Sequence, residues 1–161
     1  MKTKFLLLVA LLALVSTSVS AQFYDPKKVA VTEVVDRSEY GDVSYGTKKT
    51  IRVALTDAIT KSEGYVGYDS ISFTTIDANF DRTGNITTAI LTYVKKQVMD
   101  YILVAEVTPL DKNQTIVLIS ARIVKSSDGR IVASSSVRTA ANLDSLPSAC
   151  RSLTCQLVGA I

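Results

Sequence analysis

The stretch "TIVLISARIVKSSDGRIVASSSVRT", residues 115–139, leaves few folds open to this chain. Two runs rich in β-branched residues flank the turn cluster "SSDGR", so they read as neighbouring antiparallel strands. The side-chain pattern decides their register. A two-residue Asp128-Gly129 turn would set Ile119, Ala121 and Ile123 on the face of Ser134, Ser136 and Arg138. A three-residue turn, Ser127-Asp128-Gly129 with Gly129 left-handed, sets them with Ile131, Ala133 and Val137 instead. Strand faces alternate with period two, so only the second choice matches apolar to apolar, and the three-residue turn is expected.

The strand before this hairpin is "VMDYILVAEV", 98–107, set off by the turn cluster "TPLDKNQ". By the same matching, Tyr101, Leu103, Ala105 and Val107 join the apolar face. The opposite face carries Ile102, Val104, Glu106, Leu118, Ser120, Arg122, Val132, Ser134, Ser136 and Arg138, and it is the more polar side. Glu106 is expected in a row with Leu118 and Arg138, with Arg122 two rows away.

Upstream the pattern differs. "KKVAVTEVV", 27–35, reads as a strand, and a helix follows from about Thr47 to Lys61 with Ile51, Leu55, Ala58 and Ile59 on one stripe. Gly64 is a plausible left-handed cap. "YVGYDSI", 65–71, is a short second strand, and a helical turn is placed around Thr75 to Phe80. A second helix runs from about Ile86 to Met99, lined by Ile86, Ala89, Ile90, Tyr93 and Val94, with Lys95 and Lys96 where the helix dipole favours cations. Strands separated by helices imply parallel pairing. The tail from Asp144 or Ser145 reads as a third helix with Leu146, Ala149, Cys150, Leu153 and Leu157 on one stripe. The expected fold is therefore an α/β domain with a single mixed five-stranded sheet. Its elements run β-α-β-α-β-β-β-α, and the helices pack on the sheet.

The start of the chain addresses its compartment. Lys2 and Lys4 precede the apolar run Phe5–Val15, which is shorter than a membrane span, and "STSVSA" supplies small residues. Residues 1–21 are read as a signal peptide cleaved after Ala21, leaving one domain, 22–161, exported and periplasmic. No cysteine stands at the cut, so no lipid anchor is expected, and no integral membrane segment remains in the mature chain. Removing Lys2 and Lys4 from the 18 basic residues leaves 16 against 15 acidic ones. A near-neutral domain offers nucleic acid no electrostatic footprint, and none is expected as a partner.

Histidine is absent. That removes the Ser-His-Asp and Cys-His arrangements and the imidazole metal ligand. No cofactor or metal site is read from the sequence.

Several phrases resemble one bacterial envelope superfamily. They are "KKVAVTEV", "TIRVALTDAITKSEGYVGYDS", "TTAILTYVKKQVMDYILVAEV" and "ARIVKSSDGRIVASSS". That superfamily includes the curli-secretion protein CsgG, the penicillin-binding-protein activator LpoB and the N-terminal domain of TolB. The resemblance covers nearly all of residues 22–161. It implies an α/β domain that binds envelope proteins rather than catalysing a reaction. The chain departs from the family in lacking the lipidated cysteine. "ISFTTIDANFDRTGN" also stands where the family has a charged helix, and no amphipathic hairpin is long enough to build a membrane barrel.

The candidate site residues are few. Asp100 and Glu106 lie about 20 Å apart along one strand, too far for a glycosidase pair, which needs roughly 5–9.5 Å. Asp100 is read as a boundary residue. Glu106 is read as a cross-strand charge partner, a solvated side chain, or part of a partner-binding patch with Arg122 and Arg138. Tyr40, Tyr45, Tyr65 and Tyr68 form either an exposed contact surface or ordinary strand and loop packing. Cys150 and Cys155 are the only cysteines. On a regular helix they lie roughly 8 Å apart, so a disulfide requires a break in the helix, and otherwise both are thiols. "NIT" at Asn85 and "NQT" at Asn113 match glycosylation acceptors. The function expected is that of an exported, non-enzymatic accessory domain that binds another envelope protein. The alternatives are a subunit of a CsgG-like ring oligomer at the outer membrane and a small carboxylate-dependent enzyme.

Overall fold

The computed structural model of the protein describes residues 25–69 and 75–161; the expected signal peptide and Ser70 and Ile71 of the expected second strand fall outside them. The elements in chain order are β1 (Lys27–Val31), β2 (Val35–Asp36), α1 (Tyr45–Thr60), β3 (Tyr65–Asp69), α2 (Phe80–Thr83), α3 (Thr88–Lys96), β4 (Tyr101–Pro109), β5 (Ile116–Lys125), β6 (Ile131–Ala140) and α4 (Ser145–Val158). One mixed sheet runs β3-β1-β4-β5-β6, with β2 also paired to β4. Strands β3, β1 and β2 pair in parallel, and β4, β5 and β6 are antiparallel.

The fold class is as expected, with one correction: the sheet has a sixth strand. The first strand stops at Val31 and the chain rejoins β4 at Val35. Val31 pairs with Leu103 and Val35 with Glu106, so Thr32–Val34 spans on one side what Val104 and Ala105 span on the other. The extra residue breaks the ladder, as a bulge does. It also carries Arg37 to the polar side of the sheet, and Arg37 N donates to Val107 O at 2.9 Å.

Helix α1 starts at Ser44, whose side chain accepts the Thr47 N–H, and it buries the predicted stripe of Ile51, Leu55, Ala58 and Ile59. Gly64 takes the left-handed conformation expected of it, with φ +80°. Helix α4 buries Leu146, Ala149, Cys150, Leu153 and Leu157. These two helices cover one face of the sheet, packed on Val29, Val31, Leu103, Ala105, Val107, Ile119 and Ile123. On the other face a smaller core gathers Val35, Phe80, Ile90, Val94, Ile102, Val104 and Val124 beneath α2 and α3. Among the described residues no helix is long and apolar enough to cross a membrane.

Strand β3 approaches α1 so closely that Gly67 is required. A Cβ there would stand 2.6 Å from Thr56 O, and the Thr60 hydroxyl accepts the Gly67 N–H. Gly67→Ala is expected to destabilise the protein by about 1–3 kcal/mol, because backbone rather than a flexible side chain would have to move. A urea titration showing no loss would mean that β3 can shift freely off the helix.

The β5–β6 hairpin has the expected register and a different turn. Ile119 pairs with Val137 and Ile123 with Ala133, as apolar matching requires. The loop, however, has four residues, Ser126–Gly129, closed by Lys125 N donating to Arg130 O at 2.9 Å. A bulge between Ile123 and Val124 takes up the extra residue. Ile131 consequently pairs with Val124, leaves the apolar face and is 55% exposed.

Candidate functional site

The sheet face opposite α1 and α4 is only half covered. Helices α2 and α3 lie over its β1–β4 side, and the part over β5 and β6 is open. Three rows cross it: Val104–Arg122–Ser134, Glu106–Ser120–Ser136 and Thr108–Leu118–Arg138. The face assignment read from the sequence holds except at the bulge, where Val132, expected on the polar face, packs against the main core and Ile131 leaves it; Glu106 also sits one pair further along. It stands opposite Ser120 rather than Leu118, and Arg122 is its diagonal neighbour. A shallow recess of about 440 Å³ opens here, lined by Val104, Glu106, Ser120, Arg122, Ser134 and Ser136.

Glu106 is the hub of this region. Its Oε1 accepts from Arg122 Nη1 at 3.1 Å and from Arg37 Nη2 at 3.1 Å, and its Oε2 accepts from Arg37 Nε at 3.2 Å. Both arginines reach further. Arg37 donates to Arg82 O and Thr83 O, each at 2.6 Å, and Arg122 donates to Gly84 O. Those carbonyls belong to the end of α2, where intrahelical donors run out. Gly84 is left-handed, with φ +60°, and a Cβ there would meet Val35 at 3.1 Å and Glu106 Oε1 at 3.3 Å. An Arg-Glu-Arg clamp thus fastens the 80–84 segment to the sheet. Partial burial alone would raise the Glu106 pKa. The hydrogen bonds and charge of Arg37, then of Arg122, outweigh it and hold the carboxyl below its ordinary value. A carboxylate so held is a poor proton donor near neutral pH.

Asp100 joins strands. Its Oδ2 accepts the Lys28 N–H at 2.9 Å, and its own N–H donates to Lys28 O, at the step from α3 into β4. Arg138 is exposed at the far end of the polar face. The four tyrosines are not brought onto one face. Tyr65 packs against the main core, and Tyr68, three residues along β3, stands on the opposite side and is exposed. Tyr40 is 47% exposed in the β2–α1 loop and Tyr45 72% exposed at the start of α1. Tyr45 lines a cleft of about 430 Å³ with Glu33, Asp36, Asp42, Lys48 and Arg52. Lys48 pairs there with Asp36 at 3.7 Å, and Arg52 with Glu33 at 3.7 Å and with Asp69 at 2.9 Å. Asp36 also closes the loop, accepting the Ser38 and Val43 N–H groups.

Helix α4 is unbroken through both cysteines, and both are free thiols, Cys150 buried and Cys155 exposed. Burial pushes the Cys150 thiol up to about 12, so it stays protonated at neutral pH. Among the described residues no three metal-ligating side chains converge.

Arg37 and Gly84 have no place in the sequence reading, although the clamp needs both. The only local sign was the glycine in "RTGN", which can end a helix of any length.

No protein-family model matches the chain, and no curated protein matches it by sequence. Solved structures do. A PelC dodecamer from Paraburkholderia phytofirmans matches with TM-score 0.54 at 14% identity over 83% of this chain and 87% of that one. The LpoB C-terminal domain from Salmonella enterica matches with TM-score 0.50 at 11% identity over 78% and 92%. TolB from Acinetobacter baumannii matches with TM-score 0.55 at 8% identity over 84% of this chain, which spans 28% of TolB. At these identities the likeness is one of fold, and this chain shares its fold with PelC, the LpoB C-terminal domain and part of TolB.

Proposed function

We propose that the chain is an exported, non-enzymatic accessory domain of the bacterial envelope that binds another envelope protein through the open polar face of β5 and β6. The half-covered sheet carries this reading. One face is sealed by two helices, whereas the other is closed only as far as the Glu106 clamp. Ser134, Ser136 and Arg138 lie beyond the clamp, exposed on rigid strands. The kinship of fold with LpoB and TolB supports the placement in the envelope. Glu106, ion-paired twice, favours this reading over a carboxylate-dependent enzyme.

A photo-crosslinking residue at Ser136, introduced in the exporting host, is expected to trap one envelope protein. The same residue at Ser148, exposed on α4, is expected to trap none. Charge reversal at Arg138 should lower recovery at least ten-fold, with stability changed by less than about 0.5 kcal/mol, as for ordinary surface substitutions. Equal trapping from both positions, or none from Ser136, would remove the reading. A ring subunit is the second reading, supported by the dodecameric state of PelC. Light scattering after chromatography decides it, since a strict monomer rules out the ring.

A further inference from the structure

Helix α3 ends in a Schellman arrangement. Met99 N donates to Val94 O at 3.3 Å and Val98 N to Lys95 O at 3.0 Å. The residue that must turn left-handed there is Val98, with φ +57°. Glycine suits this position, and a β-branched residue is strained in it. Nothing inside the fold benefits from the valine, because it is 70% exposed. Strain held at an exposed apolar side chain points to a use outside the fold.

Its surroundings say what that use is. Val98 lines a recess of about 510 Å³ together with Lys27, Lys95 and Lys125. The adjoining recess shares Tyr101 and Lys125 with it and adds Arg130 and the exposed Ile131. None of these four cations is in an ion pair among the described residues. The one acidic side chain lining either recess, Asp100, accepts the Lys28 N–H, and Ile161 brings the terminal carboxylate to the second recess. One end of the domain therefore presents four unpaired cations around two exposed aliphatic side chains.

We propose that this end is a docking surface for a lipid bilayer bearing anionic headgroups. Lys27, Lys95, Lys125 and Arg130 face the phosphates, and Val98 and Ile131 enter the headgroup layer. Cations near an anionic leaflet and shallow apolar insertion act together in this way. The inference does not depend on the protein-binding reading of the β5–β6 face, which lies elsewhere on the sheet.

Flotation of the protein, recovered from the extracytoplasmic fraction of its host, with vesicles of phosphatidylcholine with and without phosphatidylglycerol tests it. Binding is expected only with phosphatidylglycerol and should be reversed by salt. Lys95→Gln combined with Lys125→Gln should weaken it about twenty-five-fold, at about five-fold per charge near the surface. Val98→Gly should weaken it about ten-fold through lost apolar contact, yet raise Tm because glycine relieves the left-handed strain. A purely structural role for Val98 would not separate those two readouts. Flotation with neither vesicle, as a surface for an acidic protein would give, overturns the proposal. Equal flotation with both, or Val98→Gly binding as tightly as the parent, does the same.

Discussion

Phe80→Ala is expected to destabilise the protein by about 3–5 kcal/mol, about a fifth or more of the stability of an ordinary domain. Among the described residues Phe80 is the largest fully buried side chain, and it comes from a helix of only four residues. So short a helix has no stability of its own. It stays because Phe80 enters the small core with Val35, Ile102 and Val104 while the clamp holds its carbonyls. Truncation removes the ring and leaves a cavity between segment and sheet. Urea denaturation checks the size of the loss, and hydrogen exchange should show Ile102 and Val104 losing protection ahead of Leu103. A loss below about 1 kcal/mol would mean that the segment is held by the arginines alone.

Glu106→Ala should cost about 2–3 kcal/mol. Removing one member of a fully buried ion pair is worth about 3–5 kcal/mol, but these side chains keep 19–36% exposure and water screens them. The variant strands two guanidinium groups that still cap α2. The pH dependence has a definite sign. Glu106 titrates below its ordinary value of 4.5 when folded, so the folded state binds that proton less readily than the unfolded one. Its contribution is complete above about pH 4.5 and is lost as pH falls through the lower folded value. Glu106→Gln should therefore be less stable at neutral pH and show a shallower acid limb. Some slope must remain. Asp111 is also held low, by the Ile116 N–H first and then by Thr115, and it titrates in both proteins. An unchanged acid limb in Glu106→Gln would show that the clamp contributes nothing to folding.

The parts of this fold legible in the sequence were those fixed by side-chain period. Faces of β4, β5 and β6 beyond the bulge follow from alternation, and stripes on α1 and α4 from helical spacing. The registry of Ile119 with Val137 was equally readable, because a slip of one residue would have turned every apolar side chain outward. A shift of two residues keeps faces matched, so pattern alone could not stop Glu106 being set beside Leu118. The Leu110–Thr115 turn settles it through Asp111, which accepts the Thr115 and Ile116 N–H groups, and through a left-handed Gln114. No glycine marks that conformation. Only the Glu106–Arg122 part of the clamp could be read from neighbouring strands; Arg37 and Gly84 come from two other segments, and no spacing rule links them to it.

The bulge beside the β5–β6 turn gives this hairpin one residue of slack. A deletion within Ser126–Gly129 can be absorbed by flattening the bulge, leaving every pair from Ile123–Ala133 to Ile116–Ala140 in place. The turn between β4 and β5 has no such reserve, since its ladder runs without a shift from Tyr101–Lys125 to Pro109–Val117. An insertion of one residue there would invert β5 and β6 together, sending the serines inward and the core outward. As chains with this fold diverge, length should drift at the tip near Gly129 and stay fixed between Leu110 and Thr115.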